Sequence, residues 1–267
     1  MKPAAFDYER PTDIALAVHL LAASEGTGKV IAGGQSLGPM LNLRLAQPAL
    51  LVDVRALERL RDIKLTDDAL LLGACTTHAA IEDGLVPDVT RGLMRRVASD
   101  IAYRAVRNRG TIGGSLCHAD PAADWVSAMM LLSATVIVDG AHGAREIEAA
   151  DFIVSAFTTA LADDEVLTAI RIPRLSDGAR WGYYKFCRKP GEFAEALAAI
   201  LVDPGRDLCR AVIGATHGKP HVIADARAIA DDRSVNEAVE AAGVGDDPYE
   251  RQLHCAALKR AIAQLSA

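Results

Sequence analysis

Residues 32–36 read AGGQS and residues 109–115 read RGTIGGS. Each glycine pair breaks an apolar or basic stretch, and each strings together residues whose backbone N–H groups can stay open. Glycine accepts positive φ and lets a ligand approach where a Cβ would stand in the way. Successive free N–H groups in such a turn make a concavity for an anion, and a helix that follows adds its positive end. Two such loops far apart in sequence suit a ligand with two phosphates and a long body, as a dinucleotide has. Neither is a G-x-G-x-x-G or a G-x-x-x-x-G-K-[ST], and neither pattern occurs elsewhere, which sets aside a doubly wound nicotinamide domain and a P-loop engine.

Outward from the first pair, Thr12 and Asp13 open an apolar-periodic helix over residues 14–21 that ends near Gly26. Residues 30–32 read as a strand, 37–45 as a helix and 50–54 as a strand. Residues 63–65 and 70–74 form a hairpin, so the first 60 residues predict a small βαββ unit with the hairpin beyond it. Thr77 caps a short helix, and residues 89–98 make an amphipathic one with Leu93, Met94 and Val97 inward. After the second glycine pair, residues 122–132 read as a buried helix, and 134–138, 144–148 and 166–172 as strands. A polar break at 175–179 marks a domain boundary. Beyond it, 181–188, 193–202 and 208–216 read as three antiparallel strands, with the alanine-rich 193–200 equally compatible with helix. Residues 224–230, 235–241 and 249–264 read as helices.

Composition narrows the function classes. The 267 residues are 51% apolar and 24% charged, ordinary for a globular chain, and suffice for more than one subdomain. A net charge of −6 argues against a nucleic-acid partner. Arg91, Arg95, Arg96, Arg104, Arg107 and Arg109 form one local basic run; the last two abut the second glycine pair, where they could serve a phosphate or fasten the loop. Cys75, Cys117, Cys187, Cys209 and Cys255 lie too far apart for a C-x-x-C zinc or iron–sulfur pattern. Their odd number, with no leader-like apolar run at the N-terminus and no run of membrane-spanning length, predicts reduced thiols in a soluble cytoplasmic protein.

Four segments carry a resemblance. Residues 32–44 (AGGQSLGPMLNLR), 73–78 (GACTTH), 106–124 (VRNRGTIGGSLCHADPAAD) and 185–189 (KFCRK) resemble, in order and spacing, the FAD-binding medium subunit of molybdenum hydroxylases. That family includes the carbon-monoxide dehydrogenase flavoprotein and the flavin domain of xanthine dehydrogenase. The likeness runs over about residues 1–200 and weakens afterwards. It implies an α+β chain: a vanillyl-alcohol-oxidase-type (PCMH-type) FAD-binding domain over residues 1–175, in subdomains of about 1–60 and 61–175. A C-terminal domain, 176–267, follows, with a three-stranded antiparallel sheet plus helices.

The resemblance also assigns roles. Gly33, Gly34, Gln35 and Ser36 would hold the FAD pyrophosphate with Ala32 lining the same loop, and Thr111, Gly113, Gly114 and Ser115 would approach it and the flavin edge. Asp124 would accept hydrogen bonds from ribityl hydroxyls, which suits a carboxylate facing a polyol; it could equally cap the helix around Trp125. Lys185 would lie near the isoalloxazine ring and stabilise its reduced anion. Phe193 stands where similar proteins tend to carry a tyrosine against the ring, and Leu167 is a second ring-packing candidate, though a core leucine accounts for it as well. His78 and His118 read as structural, and the His217–His221 segment departs from the family's pattern. Substrate oxidation would then belong to a large molybdopterin subunit, and two [2Fe–2S] clusters to a small subunit. The whole would be a dimer of heterotrimers, passing electrons through this flavin to an external acceptor. A stand-alone flavin oxidase or reductase of the same fold, with Tyr183, Tyr184 and Phe193 as a substrate wall, and a scaffold that has lost its flavin are the rival readings.

Overall fold

The computed structural model describes residues 2–266. Its first unit runs β1 (Asp7–Glu9), α1 (Ile14–Ala23), β2 (Gly28–Ile31), α2 (Leu37–Asn42), β3 (Leu50–Asp53), with the strands parallel in the order β1-β3-β2. The Asp13 carboxylate accepts the Leu16 N–H at 2.8 Å to start α1, whose Ile14, Ala17, Val18 and Leu21 turn inward. Strand β1 was not anticipated, because all three of its residues are exposed and carry no apolar signal. It is held instead through Tyr8, whose hydroxyl donates to the buried Asp53, which also pairs with Arg55 at 2.6 Å. Burial alone would raise the Asp53 carboxyl, but the hydrogen bonds from Arg55 and Tyr8 outweigh it and bring it down to about 2.

The second unit is β4 (Ile63–Leu65), β5 (Ala69–Gly73), α3 (His78–Glu82), α4 (Leu93–Ser99), α5 (Arg104–Arg107), α6 (Ile112–His118), α7 (Asp124–Leu131), β6 (Thr135–Gly140), β7 (Gly143–Glu148), α8 (Ala149–Phe152), β8 (Ile153–Ser155), β9 (Thr158–Thr159) and β10 (Val166–Pro173). Five strands form an antiparallel sheet in the order β4-β5-β10-β6-β7, while β8 and β9 pair separately. All eight residues of α7 are buried, and it forms the centre of the largest core cluster. Helix α4 starts four residues later than expected. Asp88 accepts the N–H groups of Thr90 and Gly92, and Gly92 sits at φ +86, so residues 88–92 close a turn before the helix can begin.

The last unit is an antiparallel sheet of β11 (Arg180–Phe186), β12 (Ala196–Asp203), β13 (Leu208–Gly214) and β14 (His221–Ile223), followed by α9 (Asp232–Ala241) and α10 (Pro248–Ala263). The three expected strands are present and β14 adds a short fourth; the helix expected at 224–230 shrinks to one 3-10 turn, Ala226–Ala228. The alanine-rich stretch is strand because it is buried on both faces. Leu197, Ala199 and Leu201 join the core around α7, while Ala196, Ala198 and Ile200 pack toward α9 and α10. Alanine keeps both helical layers close to the sheet, and Gly182 does the same on β11, where a Cβ would come within 1.8 Å of the Ala261 carbonyl oxygen.

Candidate functional site

The first glycine pair lies between β2 and α2. Gly34 adopts φ +71, and the five backbone N–H groups of residues 33–37 donate to no acceptor among the described residues. Gln35 turns its side-chain amide back onto the Gly33 carbonyl at 3.1 Å, and Ser36 stands at the helix cap with its hydroxyl free of a capping bond. Ala32 and residues 34–36 are half-buried, so the run is reachable without lying flat on the surface. A Cβ at Gly33 would stand 2.0 Å from the Arg109 carbonyl oxygen. The two glycine segments are therefore in direct backbone contact.

The second segment is not a loop of open amides. Residues 112–118 are helix α6, capped by Thr111, whose hydroxyl accepts the Gly114 N–H at 3.1 Å. The Ile112 and Gly113 N–H groups donate to the Thr76 and Ala74 carbonyls at 3.0 and 2.9 Å, so that of residues 111–115 only the Thr111 N–H has no acceptor among the described residues. Gly113 is needed because a Cβ there would come 2.6 Å from that of Ala74, a close approach that outweighs the ordinary cost of glycine in a helix. Gly114 is exposed and Ser115 half-exposed, so this end of α6 offers an open face beside the Gly33 segment. The segment's contribution is shape and access more than a row of donors.

Asp124 and Lys185 come together in the structure, and with them Tyr183. Asp124, at the first position of α7, is buried; its Oδ2 accepts from Lys185 Nζ at 3.0 Å and its Oδ1 accepts from the Tyr183 hydroxyl. Lys185 Nζ also donates to the Asp100 carbonyl at 3.2 Å, and the Lys185 and Asp124 side chains are only 4% and 5% exposed. Burial pushes the Asp124 carboxyl up, while Lys185 and Tyr183 pull it back. The lysine charge is thus matched by a carboxylate, an arrangement the sequence reading did not contain. A signal for it existed: Tyr183 and Lys185 are two apart on one strand and so project to one face.

The remaining candidates differ in their exposure. Leu167 is buried in the main core on β10, at a bulge where Thr168 donates to Asp139 at 2.7 Å. Phe193 is 59% exposed on the connection between β11 and β12. That connection is tied down by Gly191, at φ +87, whose carbonyl accepts the Ala102 N–H at 3.0 Å. Arg107 fastens the loop rather than presenting a free cation: it grips Glu82 with two bonds of 2.8 and 3.0 Å and donates to the carbonyls of Ile101 and Ala102. His78 is structural, as expected. Its Nδ1 accepts the Trp125 indole N–H at 3.0 Å, and burial followed by the nearby Arg107 lowers it to about 4, so the ring stays neutral.

This geometry can be set beside known proteins. Residues 4–175 match the model of a family described as the FAD-binding domain in molybdopterin dehydrogenase. The chain belongs to that family. The nicotine 6-hydroxylase medium subunit of Paenarthrobacter nicotinovorans is 35% identical over 263 residues, covering 95% of this chain and 91% of that protein. The carbon monoxide dehydrogenase medium chain of Afipia carboxidovorans is 37% identical over 218 residues, 81% of this chain and 76% of that one. Among solved structures, a chain of carbon monoxide dehydrogenase from Hydrogenophaga pseudoflava superimposes with a TM-score of 0.90 at 28% identity, covering 100% of this chain and 99% of its own. The PCMH-type fold expected from the four motifs is the fold of this family, and membership makes the chain an FAD-domain subunit of an oxidoreductase. No helix among the described residues is long and apolar enough to cross a membrane.

Proposed function

We propose that this chain binds one FAD and serves as the electron-transfer subunit of a cytoplasmic molybdenum hydroxylase. It would take electrons from the [2Fe–2S] clusters of a small partner subunit and hand them to an external acceptor. A large molybdopterin subunit would oxidise the substrate, in a dimer of heterotrimers. The observation that carries the reading is the run of five unpaired amides at residues 33–37, pressed through Gly33 onto the Arg109 backbone. Such a run is an anion seat of the kind a pyrophosphate fills. The residues present fit the cofactor.

FAD, when bound, supplies a carrier that accepts and releases electrons, chemistry no side chain here provides. The chain's residues bind and orient it. Ala32, Gly33, Gly34, Gln35 and Ser36 would hold the pyrophosphate, with Thr111, Gly113, Gly114 and Ser115 completing the cradle from α6. Asp124 would accept ribityl hydroxyls, Lys185 would lie near the isoalloxazine ring and stabilise its reduced anion, and Phe193 and Leu167 would supply apolar packing against the ring. The division into a flavin domain to residue 175 and a C-terminal domain from 176 belongs to the same proposal.

The purified full-length chain should carry flavin absorption bands and release FAD on denaturation. A chain that takes up no FAD under any reconstitution condition would refute the reading. Flavin bands together with turnover of a small substrate by the isolated chain would favour the stand-alone oxidase instead.

A further inference from the structure

Tyr183 has one polar side-chain atom, and it ends on the Asp124 carboxylate. The residue is 2% exposed, and its hydroxyl sits well above the ordinary tyrosine range through burial and the facing carboxylate, so it remains a donor. The backbone is held at the same point, where the Tyr183 N–H donates to Gln264 Oε1 at 2.9 Å. A carboxylate offers about four lone-pair sites, of which Tyr183 and Lys185 take two, one on each oxygen.

We propose that Tyr183 is a positioning residue for the cofactor site: with Lys185 it fixes the Asp124 carboxylate so that its remaining lone pairs accept hydroxyl groups of the FAD ribityl chain. This rests on the reading of the chain as an FAD carrier. Without the phenol, Asp124 keeps one fixed oxygen and loses the constraint on the other. The charged and titratable groups around the carboxylate are Lys185 and Tyr183 on β11 and Asp100, paired with Arg96, at the end of α4. His78, on α3, faces the neighbouring Trp125.

The test is FAD titration of the full apo-chain by flavin fluorescence, for wild type, Tyr183→Phe, Asp124→Asn and the double variant, across the acid-to-neutral range. Tyr183→Phe should weaken FAD binding about tenfold at neutral pH, the share of a charge-assisted hydrogen bond passed on through Asp124. It should also move the acid limb of the affinity profile upward by about one pH unit, because the phenol no longer helps keep Asp124 ionised. His78 is common to both proteins and cancels in that comparison. A merely structural role would lower the unfolding temperature of the apo-chain and leave the limb in place. Asp124→Asn should bind weakly with no acid limb, and adding Tyr183→Phe to it should change nothing more. Wild-type affinity and limb in Tyr183→Phe, or a further loss in the double variant, overturns the proposal. If Tyr183→Phe does not fold, wild-type affinity in Asp124→Asn overturns it alone. A wild-type chain that binds no FAD is a different result and removes the proposed function itself.

Discussion

At the scale of single residues, the site depends on backbone contacts that leave no room and on charges that leave no solvent. Gly33→Ala puts a Cβ 2.0 Å from the Arg109 carbonyl oxygen, so the two glycine segments must part. We expect that variant to lose FAD in a titration while its far-ultraviolet circular dichroism stays that of the wild type, since the strain is confined to one contact. Lys185→Met leaves the buried Asp124 without its cation. Breaking one side of a buried pair costs about 3 kcal/mol or more, to be read as a lower midpoint in urea unfolding, and Lys185→Met with Asp124→Leu should recover part of the loss. His78 sets a pH dependence. Its ring titrates near 4 in the fold against 6.5 ordinarily, so between those values the unfolded chain binds more protons. Stability is then fully present above about pH 6.5 and falls as pH drops toward 4, by about 3 kcal/mol at most. His78→Gln should flatten that window in unfolding free energies measured pH by pH.

Elements show which parts of this architecture the sequence discloses. Strands β2, β3, β5 and β10 and helices α1, α7 and α10 follow apolar periodicity or continuous burial, and all are visible in the pattern of side chains. Strand β1 is invisible because its three exposed residues join the sheet through Tyr8 and Asp53, 45 positions apart. Helix α6 reads as a loop because Gly113 and Gly114 are poor helix formers; the reason for Gly113, the close approach of Ala74, is a fact of tertiary structure. The open amides at residues 33–37 were legible; of the Asp124 cluster only the shared face of Tyr183 and Lys185 was, since their pairing with Asp124 joins α7 to a strand some sixty residues on. Gly182→Ala probes the same kind of contact at element scale. Its Cβ would fall 1.8 Å from the Ala261 carbonyl oxygen, forcing α10 off β11, and a cooperative loss of several degrees in unfolding temperature is expected, with the glycine-run amides untouched.

For the whole molecule, the decisive question is what covers it. The proposed role needs electrons to enter; the five cysteines are spaced too widely for a cluster motif, and in that proposal the iron–sulfur centres lie on the small partner subunit. Electron entry then requires a flavin edge close to a surface that the small subunit occupies in a fixed geometry. Long-lived interfaces of that kind bury about 2,000 Å² or more in total and are relatively apolar at their centre. Leu43, Leu45, Leu85 and Tyr103 are each more than half exposed, from 54% to 72%. We therefore expect the isolated chain to associate readily. Drawn from its own cells under native conditions, it should bring down a small [2Fe–2S] protein and a large molybdopterin protein in equal amounts, measured by quantitative mass spectrometry of the captured complex. Recovery of a flavin-loaded homo-oligomer that oxidises a small substrate unaided would replace the subunit reading with that of a stand-alone oxidase.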